Sequence, residues 1–133
     1  MTGTTPGYAP HEVLGPLASR YVETDDIPWQ EATHGSRMKV LYKDNEAKQA
    51  LVLVETPPGC VLAEHEHTGL ELTYVLEGSL EDDEGACRAG EFVWRPPGSR
   101  HQARTPNGAK FLVLFQGGAR SIDSGRLFPD FTK

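Results

Sequence analysis

Cysteine is scarce in this chain: Cys60 and Cys87 are the only two, and they form no CxxC pair. A disulfide-dense scaffold is therefore excluded. One bridge between them could be drawn, but a domain of 133 residues does not need it, and two reduced thiols are expected. Positive charge is also short. Thirteen Lys and Arg face 19 Asp and Glu, a net charge of −6, with no basic run of five residues. That balance argues against a nucleic-acid phosphate partner. Long hydrophobic runs are missing, and nothing approaches the roughly 18 apolar residues of a spanning helix, so no membrane association is expected. The opening "MTGTTPGYAP" carries neither a positive n-region nor an apolar h-region, which fits neither a signal peptide nor an anchor. A cytoplasmic protein is the expectation. Helical periodicity is almost absent too, and no repeat of 20 to 50 residues is visible.

What the chain does have is punctuation. Fourteen Gly and ten Pro imply many turns, and 38% hydrophobic residues suffice for one core. Strand-like runs recur about every ten residues between Gly, Pro, Asn and Asp. They are "RMKVLYKD" (37–44), "AKQALVLVETPPG" (47–59), "CVLAEHEH", "ELTYVLEG", a hairpin arm bending at Gly85, "EFVWRPPG", "HQARTPNG" and "KFLVLFQGG". The pattern predicts an all-β sandwich or barrel that closes its edges. It divides into an N-terminal arm (1–20), the barrel (21–120) and a C-terminal tail (121–133), the tail with room for a short helical turn. Trp29 is the buried candidate in the polar connection "DDIPWQEATHGS".

The stretch "AEHEHTGLE" concentrates electron-pair donors. In a strand, residues i and i+2 share a face, so His65 and His67 point together while Glu64 and Glu66 point the other way. Unpaired carboxylates are costly to bury, which puts the two glutamates in water and the two imidazoles inside. A bound divalent metal gives two inward imidazoles a common purpose. Glu71, just past the Thr68-Gly69 turn, can reach the same point from the next strand, and His101 is a fourth candidate. His11 and His34 lie in polar, Gly/Pro-flanked segments and read as surface residues. Alternation puts Thr73, Val75 and Ala103 on the inner face. Phe92, Trp94, Phe111, Val113 and Phe115 are candidates for a mainly apolar chamber suited to a small organic molecule. Arg95, Arg100 and Arg104 read as surface arginines of a turn region, with a role in meeting a carboxylate or enolate as the alternative.

Residues 59–78, "GCVLAEHEHTGLELTYVLEG", resemble the first cupin motif, with Gly59, His65, His67, Glu71 and Gly78 at its fixed positions. Residues 90–101, "GEFVWRPPGSRH", resemble the second, through Gly90, Pro96, Gly98 and His101. Where that motif ends on Asn this chain has Thr105, a change that touches a turn contact and no ligand. The segments "RYVETDDIPWQEATHGSRMKVLYKD" and "VLEGSLEDDEG" are similar to one cupin branch, which holds acetylacetone-dioxygenase-like cupins and the cupin half of ChrR-type zinc anti-sigma factors.

The resemblance implies a jelly-roll barrel with a metal in its mouth, held by His65, His67, Glu71 and His101. It implies Fe(II) or Zn(II), with Ni, Mn or Cu also compatible, and open positions for substrate, water or O2. The function implied is an Fe(II)-dependent dioxygenase of a small diketone, phenolic or hydroxyketone substrate. The alternative is a non-catalytic Zn- or ligand-binding sensor module. A sugar isomerase of this fold lacks such ligands. A homodimer is the expected assembly.

Overall fold

The structure, a computed structural model, describes residues 3–133. Apart from three short 3-10 turns at Ala9–His11, Thr24–Asp26 and Thr33–Gly35, its regular elements are strands. In chain order they are β1 (Gln30–Glu31), β2 (Arg37–Asp44), β3 (Gln49–Thr56), β4 (Cys60–Val61), β5 (His65–His67), β6 (Leu70–Glu81), β7 (Ala86–Arg88), β8 (Phe92–Arg95), β9 (Arg100–His101), β10 (Arg104–Thr105), β11 (Ala109–Gln116), β12 (Ala119–Ser121) and β13 (Leu127–Phe128). Among the described residues they form a large sheet in the order β1-β2-β3-β11-β6-β10-β4, with β7 and β8 also on β6. A small sheet runs β13-β12-β5-β9. Every pairing is antiparallel, and the expected all-β class holds.

Turn chemistry sets the register. Asp44 Oδ1 accepts the N–H groups of Glu46 and Ala47, each at 3.0 Å, and folds β2 back onto β3. At Gly78, where β6 passes the β10–β11 turn, φ is +73° and a Cβ would sit 2.0 Å from Gly108 O, so only glycine fits. Thr105 fills the turn position that the second motif gives to Asn. It is fully buried, its hydroxyl accepts from Thr56 Oγ1 at 2.9 Å and donates to Pro57 O at 3.2 Å.

Alternate residues of the long strands converge on one core: Ala50 and Val52 from β3, Val75 from β6, and Phe111, Val113 and Phe115 from β11, joined by Leu80, Cys87 and Ala103. Both cysteines are buried and free, as expected.

Several expectations need correcting. The run "CVLAEHEH" is two strands in different sheets: the chain leaves the large sheet after Val61 and enters the small one at His65. In the C-terminal segment a single turn, closed by Gly125 N–H donating to Ser121 O at 2.9 Å, is followed by a strand that the sequence reading did not place there. Leu127–Phe128 pairs with β12, and the Phe128 ring meets Phe115 edge-on at 5.7 Å. Trp29 is only half-buried, with the Arg37 guanidinium 4.4 Å from its ring centroid. Met1 and Thr2 lie outside the described residues. The rest of the arm touches the barrel at Thr4, which bridges to Lys43, and is mostly exposed between residues 5 and 22.

Candidate metal centre

The two sheets meet where the histidines lie. β5 carries His65 and His67 in the small sheet, and β9 sets His101 directly across from His65. Glu71 comes from β6 of the large sheet. The second motif pins the first through the backbone: Gly98 N–H donates to His67 O at 2.7 Å, and His67 N–H donates to Ser99 O at 2.9 Å. Gly69 lets β5 turn into β6 hard against the end of β11, since a Cβ there would lie 1.7 Å from Gln116 O. Glu66 points outward and pairs with Arg100 at 3.2 Å, and Glu64 is exposed, as alternation requires.

His65, His67 and Glu71 offer ligand atoms that all lie within 4.8 Å of one another. His67 is sealed from solvent, and its Nδ1 is 3.1 Å from Glu71 Oε2. His101 stands beside this group, its ring centroid 5.5 Å from that of His67, but it falls in a second cluster with Asp82 and Glu84. Its Nδ1 lies 3.1 Å from Glu84 Oε1 and 3.6 Å from Asp82 Oδ2. Carboxylates only accept, so that nitrogen carries the proton and Nε2 keeps the lone pair. His65 follows the same logic, with Nδ1 donating to Ala63 O at 3.0 Å. Beyond the approach of its Nδ1 to Glu71, the His67 ring has no polar partner: its Nε2 is buried and unpartnered, and so is His101 Nε2.

The electrostatics favour ligand forms. Burial lowers the pKa of His65, against the bond to Ala63, and burial followed by the nearby Arg95 lowers that of His101. Both imidazoles are thus held neutral. Burial opposes the charge on Glu71, yet His67 beside it and the positive Arg95 bring its carboxyl below the usual value.

A family model of the ChrR cupin-like domain matches residues 17–119. The chain belongs to the ChrR cupin-like family. Over 68 residues, 51% of its length, this cupin is 34% identical to the anti-sigma-E factor ChrR of Cereibacter sphaeroides, and the match covers only 31% of that relative. The Rhodobacter sphaeroides SigE–ChrR complex superposes with a TM-score of 0.61 at 26% identity, over 72% of this chain and 52% of that one. An acetylacetone dioxygenase from Acinetobacter johnsonii superposes with a TM-score of 0.71 at 23% identity, over 84% and 83% of the two chains. That last likeness shows the shared fold alone.

Arg95 is the site residue of this cupin that the sequence reading placed at the surface and the structure buries. It is buried, with Nη1 2.6 Å from Asp82 Oδ2 and Nε 4.0 Å from Glu71 Oε1. Arg100 and Arg104 do lie at the surface, beside Glu66 and Asp83. Asp82 was missed altogether. Its other oxygen accepts the N–H groups of Glu84 and Gly85 at 2.8 and 3.1 Å, so one carboxylate ties the β6–β7 turn to Arg95. The signal available was the acidic turn "EDDEG" followed by a lone arginine on an apolar strand. Phe92 and Trp94 are 52% and 58% exposed, because β8 turns Val93 and Arg95 inward instead, and they line the cavity beside His101 from its outer side and not the barrel interior. The interior next to the histidines is consequently more polar than expected. A cavity of about 410 Å³ adjoins it, walled by His101, Arg95, Asp82, Glu84, Ser99 and Cys87 among others.

Proposed function

We propose that this cupin binds a divalent metal through His65, His67, Glu71 and His101, and acts with Fe(II) as a dioxygenase of a small diketone, phenolic or hydroxyketone substrate. The observation that carries this reading is the sealed His67, its Nδ1 beside Glu71 and its Nε2 unpartnered, next to the equally unpartnered His101 Nε2. Leaving such atoms unsatisfied costs about 1–3 kcal/mol each, and buried polar atoms without partners need an explanation. Three imidazoles and one carboxylate match the preferences of a divalent transition metal.

Bound Fe(II) would supply redox and Lewis-acid chemistry. The chain's own residues do the rest. Asp82 and Glu84 hold the proton on His101 Nδ1 and keep Nε2 free. Arg95 offsets the charge of Glu71 and Asp82. The adjoining cavity of about 410 Å³ falls within the ordinary range for small-ligand pockets.

A second reading is favoured by the family match and by the ChrR relative: a zinc-holding, non-catalytic module that senses a ligand or contacts a protein partner. Zinc has no redox chemistry and would serve there as structure. Metal analysis of anaerobically purified protein, followed by O2 uptake with Fe(II)-loaded protein, tests the choice. About one equivalent of metal and uptake with a diketone, catechol, gentisate-like acid or hydroxyacetophenone is the expected result. Metal without uptake on any of these leaves the module reading, and protein that takes up no metal removes both.

A further inference from the structure

The cavity beside His101 carries a charge that the metal centre does not use. Asp82, Glu84 and Glu91 line it against one cation, Arg95, so three carboxylates face one guanidinium and the wall has a formal charge of −2. Arg95 and Asp82 neutralise each other at 2.6 Å. Glu84 is different. Its side chain is 76% exposed, its ionic contact is the His101 ring at 3.1 Å, and no Lys or Arg among the described residues pairs with it. Glu91 accepts the Arg88 N–H at 2.7 Å, but the Arg88 guanidinium is 4.0 Å away and stands outside the cavity wall. Two carboxylates of the cavity therefore lack a close cation.

The rest of the wall is largely apolar. Leu80 and Cys87 are buried, and Val93 packs against the core. Phe92 and Trp94 stand two residues apart on β8, share a face, and present half-exposed rings on the outer side. Aromatic faces attract cations through the ring quadrupole, Trp most strongly. Carboxylates without a partner accept charge-assisted hydrogen bonds from an ammonium. A free carboxylate would be repelled by both. A bare metal ion suits this cavity less, although Asp82, Glu84 and His101 bring ligand atoms together. Asp82 spends Oδ2 on Arg95 and Oδ1 on the Glu84 and Gly85 N–H groups, and the guanidinium would oppose a second hard cation there.

We propose that this cavity binds a small organic ammonium, with its apolar body against Leu80, Cys87 and Val93 and its cationic head among Glu84, Glu91 and the two exposed rings. A volume of about 410 Å³ suits a molecule of one ring and a short side chain. The inference rests on the proposed function only in seating a ligand in this cavity, and it adds the charge that the ligand carries. Binding of the head needs no metal.

Calorimetric titration of the full chain at neutral pH with three probes of similar size tests it: 2-phenylethylamine, which is a cation there, 2-phenylethanol and 3-phenylpropanoate. The amine is expected to bind at least about tenfold more tightly than the alcohol, and the carboxylate more weakly than either. Glu84→Gln keeps an oxygen for His101 Nδ1 and should weaken amine binding about threefold while leaving the alcohol unchanged. Trp94→Leu should weaken the amine by a similar factor. Asp123→Asn, exposed and outside the cavity, should change nothing. Three probes bound alike, or none bound, overturn the proposal. Equal weakening by Asp123→Asn and Glu84→Gln overturns it too, by reducing the effect to the general pull of a chain of net charge −6. Amine binding untouched by both Glu84→Gln and Trp94→Leu overturns the choice of cavity. The metal content of the same samples keeps the two readings apart. Selective amine binding by protein that takes up no metal sustains this site and removes the metal centre, and metal uptake without selective binding does the reverse.

Discussion

The large sheet is built on strands of eight and twelve residues, β2, β3, β6 and β11, whereas the small sheet is made of pieces of two and three. The long ladders bury Val52, Val75, Phe111 and Val113 and make the core. The short ones bury little apolar surface and deliver three histidines. Stability and chemistry are therefore carried by different parts of one barrel. The site even works against stability, because His67 Nε2 and His101 Nε2 are buried without partners. Sites commonly break folding rules that the rest of a protein obeys.

Four substitutions would break or sharpen that contrast, taken from the largest effect on stability to the smallest. Phe111→Ala removes a core ring from β11 and should cost about 3–5 kcal/mol in urea unfolding, while protein that remains folded keeps its metal stoichiometry. A cost below about 1 kcal/mol would mean the long sheet is not the keystone.

Asp82→Ala leaves Arg95 buried without its 2.6 Å partner and should cost about 3 kcal/mol. It should also weaken metal binding, because His101 loses one of its two acidic neighbours. If unfolding shows the cost and metal titration shows no change, Asp82 serves the turn and Arg95 alone.

His67→Leu should leave the stability of metal-free protein within about 1 kcal/mol of wild type, since it removes the buried unpartnered Nε2 at similar volume but takes from Glu71 its 3.1 Å neighbour. The same change should abolish metal binding, as elemental analysis would show. Glu66→Ala, on the outward face of the same strand, should leave both properties within about 0.5 kcal/mol of wild type. Equal metal loss in the two variants would refute the ligand assignment.

Much of this was legible in the chain. β2 lies at the expected residues 37–44, and the period of two around His65 and His67 orients them and the neighbouring glutamates correctly. Spacing alone reached three of the four proposed ligands, and motif resemblance contributed His101. Phe92 and Trp94 line the cavity yet stand on the outer face of β8: "FVWR" is largely apolar on both faces, so local pattern cannot say which side is inside. Tertiary context decides, and Asp82 draws Arg95 inward. Asp82 itself hid in the run "EDDEG", which has the composition of a solvated turn. The break in "CVLAEHEH" is a change of sheet, and nothing in its composition marks where the chain crosses over.

Glu71 belongs to the long sheet, while His65, His67 and His101 belong to the short one. On the proposed ligand set, whatever occupies the centre spans the line where the two sheets meet and acts as a clasp on a seam. Unfastening it would free the short sheet, with its ladders of two or three residues, and leave the long sheet in place. Occupancy then becomes a mechanical variable: one mouth of the barrel is stiff or slack according to the chemical state of three imidazoles, while the rest of the molecule stays as it was. Anything bound near that mouth, small molecule or protein, would read the ion through the give of the surface beneath it.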